Sequence, residues 1–328
     1  MLWDFTPGED PKKVVKLARK HGIKLGAINP NVFQDQCYKW GSFGNNDPKI
    51  RARALKHCVD SVAIMKAVGS EYLSLWFADG TNYPGQGSIR ERKGYFERCL
   101  KSLHQKLSPG QTMLVEYKPF EPAFYATDIA DWGMAYLYSK RAGPRAKVLV
   151  DTGHHYNATN IEQIVAWLLD EGMLGGFHFN DRRYADDDLT LGSIDPYQVF
   201  RIFHEIRLFE RQTDSRADVE YVVDQSHNLK GKIEAMLQTI TMAQQLFMKA
   251  ALVDYERLDA AQRASDLVRA EGCLQDAFAI DVRDAIREWR QGRGLPADPI
   301  EAFRESGYLE RVTRERVARR APHLSSYA

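Results

Sequence analysis

Short apolar runs alternate along this chain with longer stretches in which apolar residues recur at helical spacing. The runs that are typical of strands lie near Ile28, Leu75, Val115, Val150, His178 and Val223. The connections between them are long enough for crossover helices, which join parallel strands. The pattern therefore predicts an α/β fold with a parallel sheet covered by helices, a description that fits both a barrel and a doubly wound sheet.

Polar residues at the ends of the predicted strands favour the barrel. Glu116, Asp151 and Asp224 end three of the runs, and His178 lies within a fourth. In a (β/α)8 TIM barrel, functional groups from the carboxyl ends of several strands converge on one point. No Gly-x-Gly-x-x-Gly follows a strand, so a dinucleotide-binding fold has no support. We predict a (β/α)8 TIM barrel.

Three carboxylates and one imidazole form a ligand set for a divalent cation. Glu116, Asp151, His178 and Asp224 together suit Mn²⁺, which accepts mixed oxygen and nitrogen ligands, while Mg²⁺, Co²⁺ and Zn²⁺ are alternatives. Another interpretation remains open for the run that ends in Asp151. Its carboxylate could cap a helix, with the following histidines exposed to solvent.

A second acidic cluster follows the strand that carries His178. In an extended segment Asp186 and Asp188 would point the same way and could bind a second cation with His154 and a bridging Asp151. Asp186-Asp187-Asp188 could instead be a solvated acidic loop, because runs of charge usually face water. Three adjacent carboxylates at a barrel mouth, however, repel one another unless a positive charge neutralises them.

Two further residues are candidates for contact with a substrate. Lys118 lies two residues after Glu116 and shares its face on a strand, so its ammonium could donate to a substrate oxygen. Lys118 could instead form a structural salt bridge with Glu116. Trp76 ends a strand before a glycine-rich loop and is either an apolar wall of a substrate pocket or part of the core.

Composition narrows the class of partner. The 328 residues carry a net charge of +1, which gives no bulk attraction to nucleic acid or to an anionic membrane. The four cysteines form no Cys-x-x-Cys pair, and no apolar run is long enough to span a membrane, so we expect a cytoplasmic protein with reduced thiols. We predict a barrel domain over residues 1–245 and a helical C-terminal extension over residues 246–328 that makes oligomer contacts.

Four motifs in order carry a resemblance to a known family. They are Val115-Glu116-Tyr117-Lys118-Pro119-Phe120-Glu121-Pro122, Val150-Asp151-Thr152-Gly153-His154-His155, Gly175-Gly176-Phe177-His178-Phe179-Asn180-Asp181 and Asp224-Gln225-Ser226-His227-Asn228. Together they resemble the L-rhamnose isomerases of the broad-specificity bacterial type, within the xylose isomerase-like barrels. The likeness extends from Trp3 to about Asp254.

The resemblance implies a dinuclear aldose–ketose isomerase. One cation would be held by Glu116, Asp151, His178 and Asp224, and the second by Asp151, His154, Asp186 and Asp188. The implied reaction is a hydride shift between C1 and C2, which converts L-rhamnose to L-rhamnulose and could act on other aldoses. Catalysis would involve Lys118, His154 and Asp186, with Trp76, Lys118 and Glu116 in contact with the sugar. The resemblance also implies a homotetramer whose helical tails embrace neighbouring subunits.

One departure from that family concerns the start of the chain. Trp3-Asp4 matches the end of the family's second strand, so the sequence is expected to be truncated at its N-terminus, with about six of the eight strands of a closed barrel. Two alternatives to an active isomerase therefore remain open. One is a catalytically impaired fragment of such an enzyme. The other is a metal-dependent hydrolase or endonuclease on the same barrel, against which the near-zero net charge argues.

Overall fold

The chain forms two compact units. The computed structural model describes residues 10–119, 126–225 and 229–318. Unit 1 comprises the residues up to Phe179 together with Ala217–Val222, and unit 2 comprises Asn180–Arg216 together with the residues from Val223 onward.

A parallel sheet forms the centre of unit 1. Its strands are β1 (Tyr72–Leu75), β3 (Thr112–Glu116), β5 (Ala146–Asp151), β6 (Leu174–Phe179) and β7 (Glu220–Val223), whose last residue belongs to unit 2. Their spatial order is β1-β3-β5-β6-β7, with parallel pairing from β1 through β6. Each of these strands lies beside the one before it in the chain. The order never reverses as it does in a doubly wound sheet, and it is the order of successive barrel strands.

The strands are apolar along almost their whole length because helices cover the sheet. The helices of unit 1 are α1 (Pro11–Lys20), α2 (Pro48–Val68), α3 (Ile89–His104), α4 (Trp132–Ala142) and α5 (Ile161–Asp170). Asn160 caps α5, since its side chain accepts from the amide of Gln163 at 3.0 Å. Two short strands, β2 (Gly80–Thr81) and β4 (Ala126–Thr127), pair with each other in antiparallel fashion.

Unit 2 is mostly helical in its described part. Its helices are α6 (Pro196–Thr213), α7 (Lys232–Ala251), α8 (Tyr255–Arg263), α9 (Leu267–Ala279), α10 (Arg283–Gln291), α11 (Pro299–Glu305) and α12 (Tyr308–Ala318). The predicted boundary between residues 245 and 246 falls inside α7, and the division into those two domains stays a prediction. No described helix is both long enough and apolar enough to cross a lipid bilayer.

The segment near Ile28 departs from the predicted six strands. Of the run from Ile23, only Ile28 pairs with the sheet, through one parallel bridge to Leu73. Pro30 follows two residues later and has no N–H to continue a ladder, which accounts for the short pairing. The other five predicted strands are confirmed. Trp3 and Asp4, predicted to end a further strand, lie outside the described residues.

Candidate metal centre

Two carboxylates and two imidazoles meet at the carboxyl end of the sheet of unit 1. Glu116 ends β3, Asp151 ends β5, and His178 lies on β6 directly beside Asp151 in the strand register. His154 follows three residues after Asp151. All four side chains are buried, with exposed fractions of 1 to 7%.

The distances within this group suit ligands of a cation. Glu116 Oε1 lies 3.3 Å from Nδ1 of both His154 and His178. Ligand atoms of Glu116, Asp151 and His178 all lie within 4.8 Å of one another. Oxygen and nitrogen atoms bind divalent cations at about 2.0 to 2.6 Å, so two ligands of one cation are at most about 5 Å apart. The donor set and its spacing therefore fit a divalent cation.

Asp151 is placed to bridge two ligand groups. Its Oδ2 lies 3.8 Å from His178 Nδ1 and 3.9 Å from His154 Nε2. Its Oδ1 accepts from the amide of Gly153 at 2.7 Å, which fixes the orientation of the carboxylate. One oxygen therefore holds the turn after β5, and the other faces both imidazoles.

The electrostatics of Glu116 favour its charged form. Burial alone would raise the pKa of this carboxyl, but the imidazoles of His178 and His154 and the Lys118 ammonium hold the pKa below its ordinary value. A buried group with more than one carboxylate needs positive charge close by to remain ionised. A divalent cation would supply that charge.

A tight turn after β5 presents His154. The amide of His154 donates to the carbonyl of Asp151 at 3.2 Å, and the amide of Thr152 donates to the carbonyl of His178 at 3.0 Å. His154 Nδ1–H donates to the carbonyl of Tyr117 at 2.9 Å, which leaves Nε2 directed at Asp151. Tyr117 was not predicted from the sequence as a residue of this site.

Lys118 and Trp76 lie together in unit 1. The Lys118 ammonium is 5.4 Å from the centroid of the Trp76 ring, within the range of a cation–π contact. The half-buried indole and the Phe33 ring meet edge to face at a centroid distance of 4.6 Å. The indole Nε1 is buried and has no hydrogen-bond partner among the described residues. This pair presents an ammonium donor beside an aromatic surface.

The other predicted ligands belong to unit 2. Asp224 directly follows β7 and is half-buried, and its carbonyl accepts from the side-chain amide of Asn180 at 2.9 Å. Ser226, His227 and Asn228, which end the fourth motif, lie outside the described residues.

The acidic loop of unit 2, residues 182–188, is organised by its middle aspartate. An antiparallel bridge between Asp181 and Leu189 closes the base of the loop. The Asp187 carboxylate accepts from the amides of Arg183 at 2.6 Å and Tyr184 at 2.7 Å, and from that of Ala185 at 3.4 Å.

The acidic loop is not fully extended, whereas the prediction that Asp186 and Asp188 point the same way assumed an extended segment. Asp188 has a φ of 47°, in the left-handed region. Asp186 and Asp188 are both half-buried. Their roles as ligands stay predictions. The structural role of Asp187 was not predicted, because nothing in a run of three aspartates distinguishes the middle one.

Comparisons with known proteins place the chain in a family. Residues 3–240 match the family model described as the xylose isomerase-like TIM barrel, and the chain belongs to that family. A probable sugar isomerase of Mesorhizobium japonicum is 37% identical over 96% of this chain and 74% of its own length. A probable sugar isomerase of Rhizobium meliloti is 38% identical over 90% of this chain and 70% of its own length.

Solved structures share the fold. A crystal structure of the IOLI protein with a bound zinc atom aligns with a TM-score of 0.54 at 17% identity, over 74% of this chain and 83% of that one. At this identity the likeness shows the fold alone. It agrees with the predicted TIM-barrel class and with the strand order of the sheet.

Proposed function

We propose that this chain is an aldose–ketose isomerase that uses two divalent cations, with L-rhamnose and its ketose L-rhamnulose as one substrate pair. The observation that carries the proposal is the buried group of Glu116, Asp151, His178 and His154, with Lys118 beside it. Membership of the family and similarity to two probable sugar isomerases support it. The choice of L-rhamnose rests on the four sequence motifs.

The ligand roles follow the chemistry of the side chains. We propose that Glu116, Asp151 and His178 hold one cation with Asp224 of unit 2. We propose that Asp151 and His154 hold the second with Asp186 and Asp188. Bound Mn²⁺, or Mg²⁺, Co²⁺ or Zn²⁺ in its place, would stabilise negative charge that develops on the sugar oxygens and make a bound hydroxyl or water more acidic.

Lys118 has the clearest role of its own in the reaction. The C2 hydroxyl first gives its proton to a base. When hydrogen then moves with its electron pair from C2 to C1, the C2 oxygen becomes a carbonyl, and the former C1 carbonyl oxygen takes the negative charge and finally a proton. A fixed ammonium at the C1 oxygen stabilises that charge as it develops. Lys118 is buried and held against Trp76, so little reorganisation is needed when the charge appears. Trp76 would form an apolar wall for the carbon face of the sugar.

The test measures ketose formation on the wild-type chain and on Lys118→Met. Chelator-treated protein is assayed with L-rhamnose and a panel of other aldoses, with and without each cation. Methionine keeps the length and apolar packing of Lys118 but removes its charge. We expect kcat to fall by about 100-fold to 1,000-fold, the loss typical of one charge-stabilising donor.

Lys93→Met is the matched control, because Lys93 is a partly exposed lysine whose ion pair is with Glu97 on the same helix. It should leave kcat unchanged. A wild-type chain that binds two cations yet converts no aldose would refute the proposed function.

The helical part of unit 2 supports a further part of the proposal, that the chain assembles as a homotetramer through its extension. Ile240 on α7 and Leu295 after α10 are 42% and 50% exposed and line one apolar groove with Phe303 of α11. Exposed apolar surface of this kind is typical of subunit interfaces. Sedimentation velocity of the full chain would measure the state directly, and a monomer would refute this part.

A further inference from the structure

Tyr117 contacts both histidines of the turn after β5. It lies between Glu116 and Lys118, and its side chain is 1% exposed. Its hydroxyl is hydrogen-bonded to His155 Nε2 at 2.6 Å, and the two rings meet edge to face with centroids 5.3 Å apart. Its carbonyl accepts from His154 Nδ1–H at 2.9 Å. One residue therefore binds His155 through its side chain and His154 through its backbone.

The hydrogen bond to His155 anchors the far end of this turn. The near end is fixed by the amide of Thr152, which donates to the carbonyl of His178 on β6, and by the amide of Gly153, which donates to the Asp151 carboxylate. Residues 151–155 are all buried, whereas Tyr156 is 61% exposed. His155 is therefore the last buried residue before the chain emerges, and its bond to Tyr117 joins the turn to the end of β3.

The backbone bond selects one tautomer of His154. A carbonyl accepts but cannot donate, so Nδ1 must carry a proton, and in the neutral ring Nε2 then keeps its lone pair. Nε2 is the atom that faces Asp151 Oδ2 at 3.9 Å. Hydrogen bonds of this kind fix the ring orientation and tautomer of metal-binding histidines.

We infer that Tyr117 and His155 form a positioning pair that holds the His154 ring, as the Nδ1–H tautomer, with Nε2 directed at a cation. The inference rests on the proposed function in one respect, that His154 is a ligand. Loss of the Tyr117 hydroxyl removes one anchor from the far end of the turn, and the bond from His154 to the Tyr117 carbonyl then loses part of its fixed geometry. The group of Glu116, Asp151 and His178 lies on strands, so it should keep its arrangement.

The experiment compares cation binding in wild type and Tyr117→Phe. Mn²⁺ is titrated into chelator-treated protein by calorimetry. Tyr117→Phe should weaken one of the two binding events by about 10-fold to 100-fold and leave the other unchanged. A loss of this size is typical when a hydrogen-bond partner that orients a metal ligand is removed. Tyr138→Phe is the matched control, because Tyr138 is a buried tyrosine of α4 in the same unit. It should change neither event.

A second readout needs no cation. Long-range ¹H–¹⁵N NMR reports the tautomer of His154, whose signals are assigned by their absence in His154→Gln. Wild type should show the Nδ1–H form alone, and Tyr117→Phe should show a mixture of tautomers. The double variant Tyr117→Phe with His155→Phe should weaken binding no more than Tyr117→Phe, because the two groups act as one unit.

The outcomes separate this inference from the proposed function. A wild type that binds no Mn²⁺, together with a tautomer mixture in Tyr117→Phe, would overturn the proposed function and, of the inference, support only the hold of Tyr117 and His155 on the His154 tautomer. Two wild-type binding events that are both unchanged in Tyr117→Phe, with the tautomer also unchanged, would overturn the positioning pair and leave the metal sites standing.

Discussion

The chain carries candidate ligands in two regions of different construction. In unit 1, Glu116, Asp151 and His178 lie on paired strands and are 1 to 4% exposed. The pairing of Asp151 with His178 and the neighbouring β3 strand fix these side chains from both sides. In unit 2, Asp186 and Asp188 lie half-buried on a loop closed by one bridge, Asp181 to Leu189.

The difference concerns what organises each region. Backbone hydrogen bonds of the sheet hold the ligands of unit 1, and these bonds persist when any one ligand side chain is changed. The loop of unit 2 depends on a side chain, because the Asp187 carboxylate binds three of its amides. We therefore expect substitution of a ligand in unit 1 to abolish cation binding without altering the backbone. We expect substitution of Asp187 to weaken cation binding by altering the backbone of the loop.

The largest effect should come from Asp151→Asn. Its Oδ2 faces both imidazoles, so its charge serves both predicted sites. Loss of that charge should reduce turnover by more than about 100-fold. This exceeds the reduction expected when a residue that only hydrogen-bonds to a metal ligand is lost. Calorimetry should show both Mn²⁺ binding events weakened. Asp170→Asn, an exposed aspartate at the end of α5, is the matched control and should behave as wild type. Selective loss of one event would contradict the bridging role.

A smaller effect is expected from Asp187→Ala. Removing its carboxylate leaves the amides of Arg183 and Tyr184 without their acceptor, and the loop should lose its fixed shape. One Mn²⁺ event should weaken by about 10-fold, in the lower part of the range for residues that support ligands. Asp187→Asn retains one acceptor oxygen, to which both amides can donate, and should lose less. Equal affinities in wild type and Asp187→Ala would show that the loop does not contribute ligands.

The same contrast explains what could be predicted from the sequence. Glu116, Asp151 and His178 were predictable as neighbours because parallel strands bring their carboxyl ends to one edge, whatever the loops do. The role of Tyr117 was not predictable, because it depends on a side-chain hydroxyl and a backbone carbonyl that contact two consecutive histidines. The shape of the acidic loop was not predictable either. Asp188 adopts a left-handed conformation, and nothing in three identical residues shows which one binds the backbone.

The buried imidazoles of the two units differ as well, and this gives the prediction with the smallest effect on turnover. In unit 1, His154 and His178 face the Glu116 carboxylate at 3.3 Å. In unit 2, His204 of α6 stacks on the ring of Tyr255, and the Glu205 carboxylate is 4.0 Å from its Nε2. Burial lowers the pKa of His204 from 6.5 to about 4.

A depressed histidine pKa sets the sign of a pH effect on stability. The unfolded chain takes up a proton at His204 near pH 6.5, whereas the folded chain resists protonation down to about pH 4. The contribution of neutral His204 is therefore present above pH 6.5 and is lost as the pH falls to about 4. His204→Phe keeps the stacking and cannot be protonated. The free energy of unfolding of wild type, measured by denaturant titration, should fall relative to that of His204→Phe by about 3 kcal/mol between these pH values. Turnover at pH 7 should be equal in the two proteins, and a pH-independent difference in stability would show that His204 is protonated as easily in the folded chain as in the unfolded one.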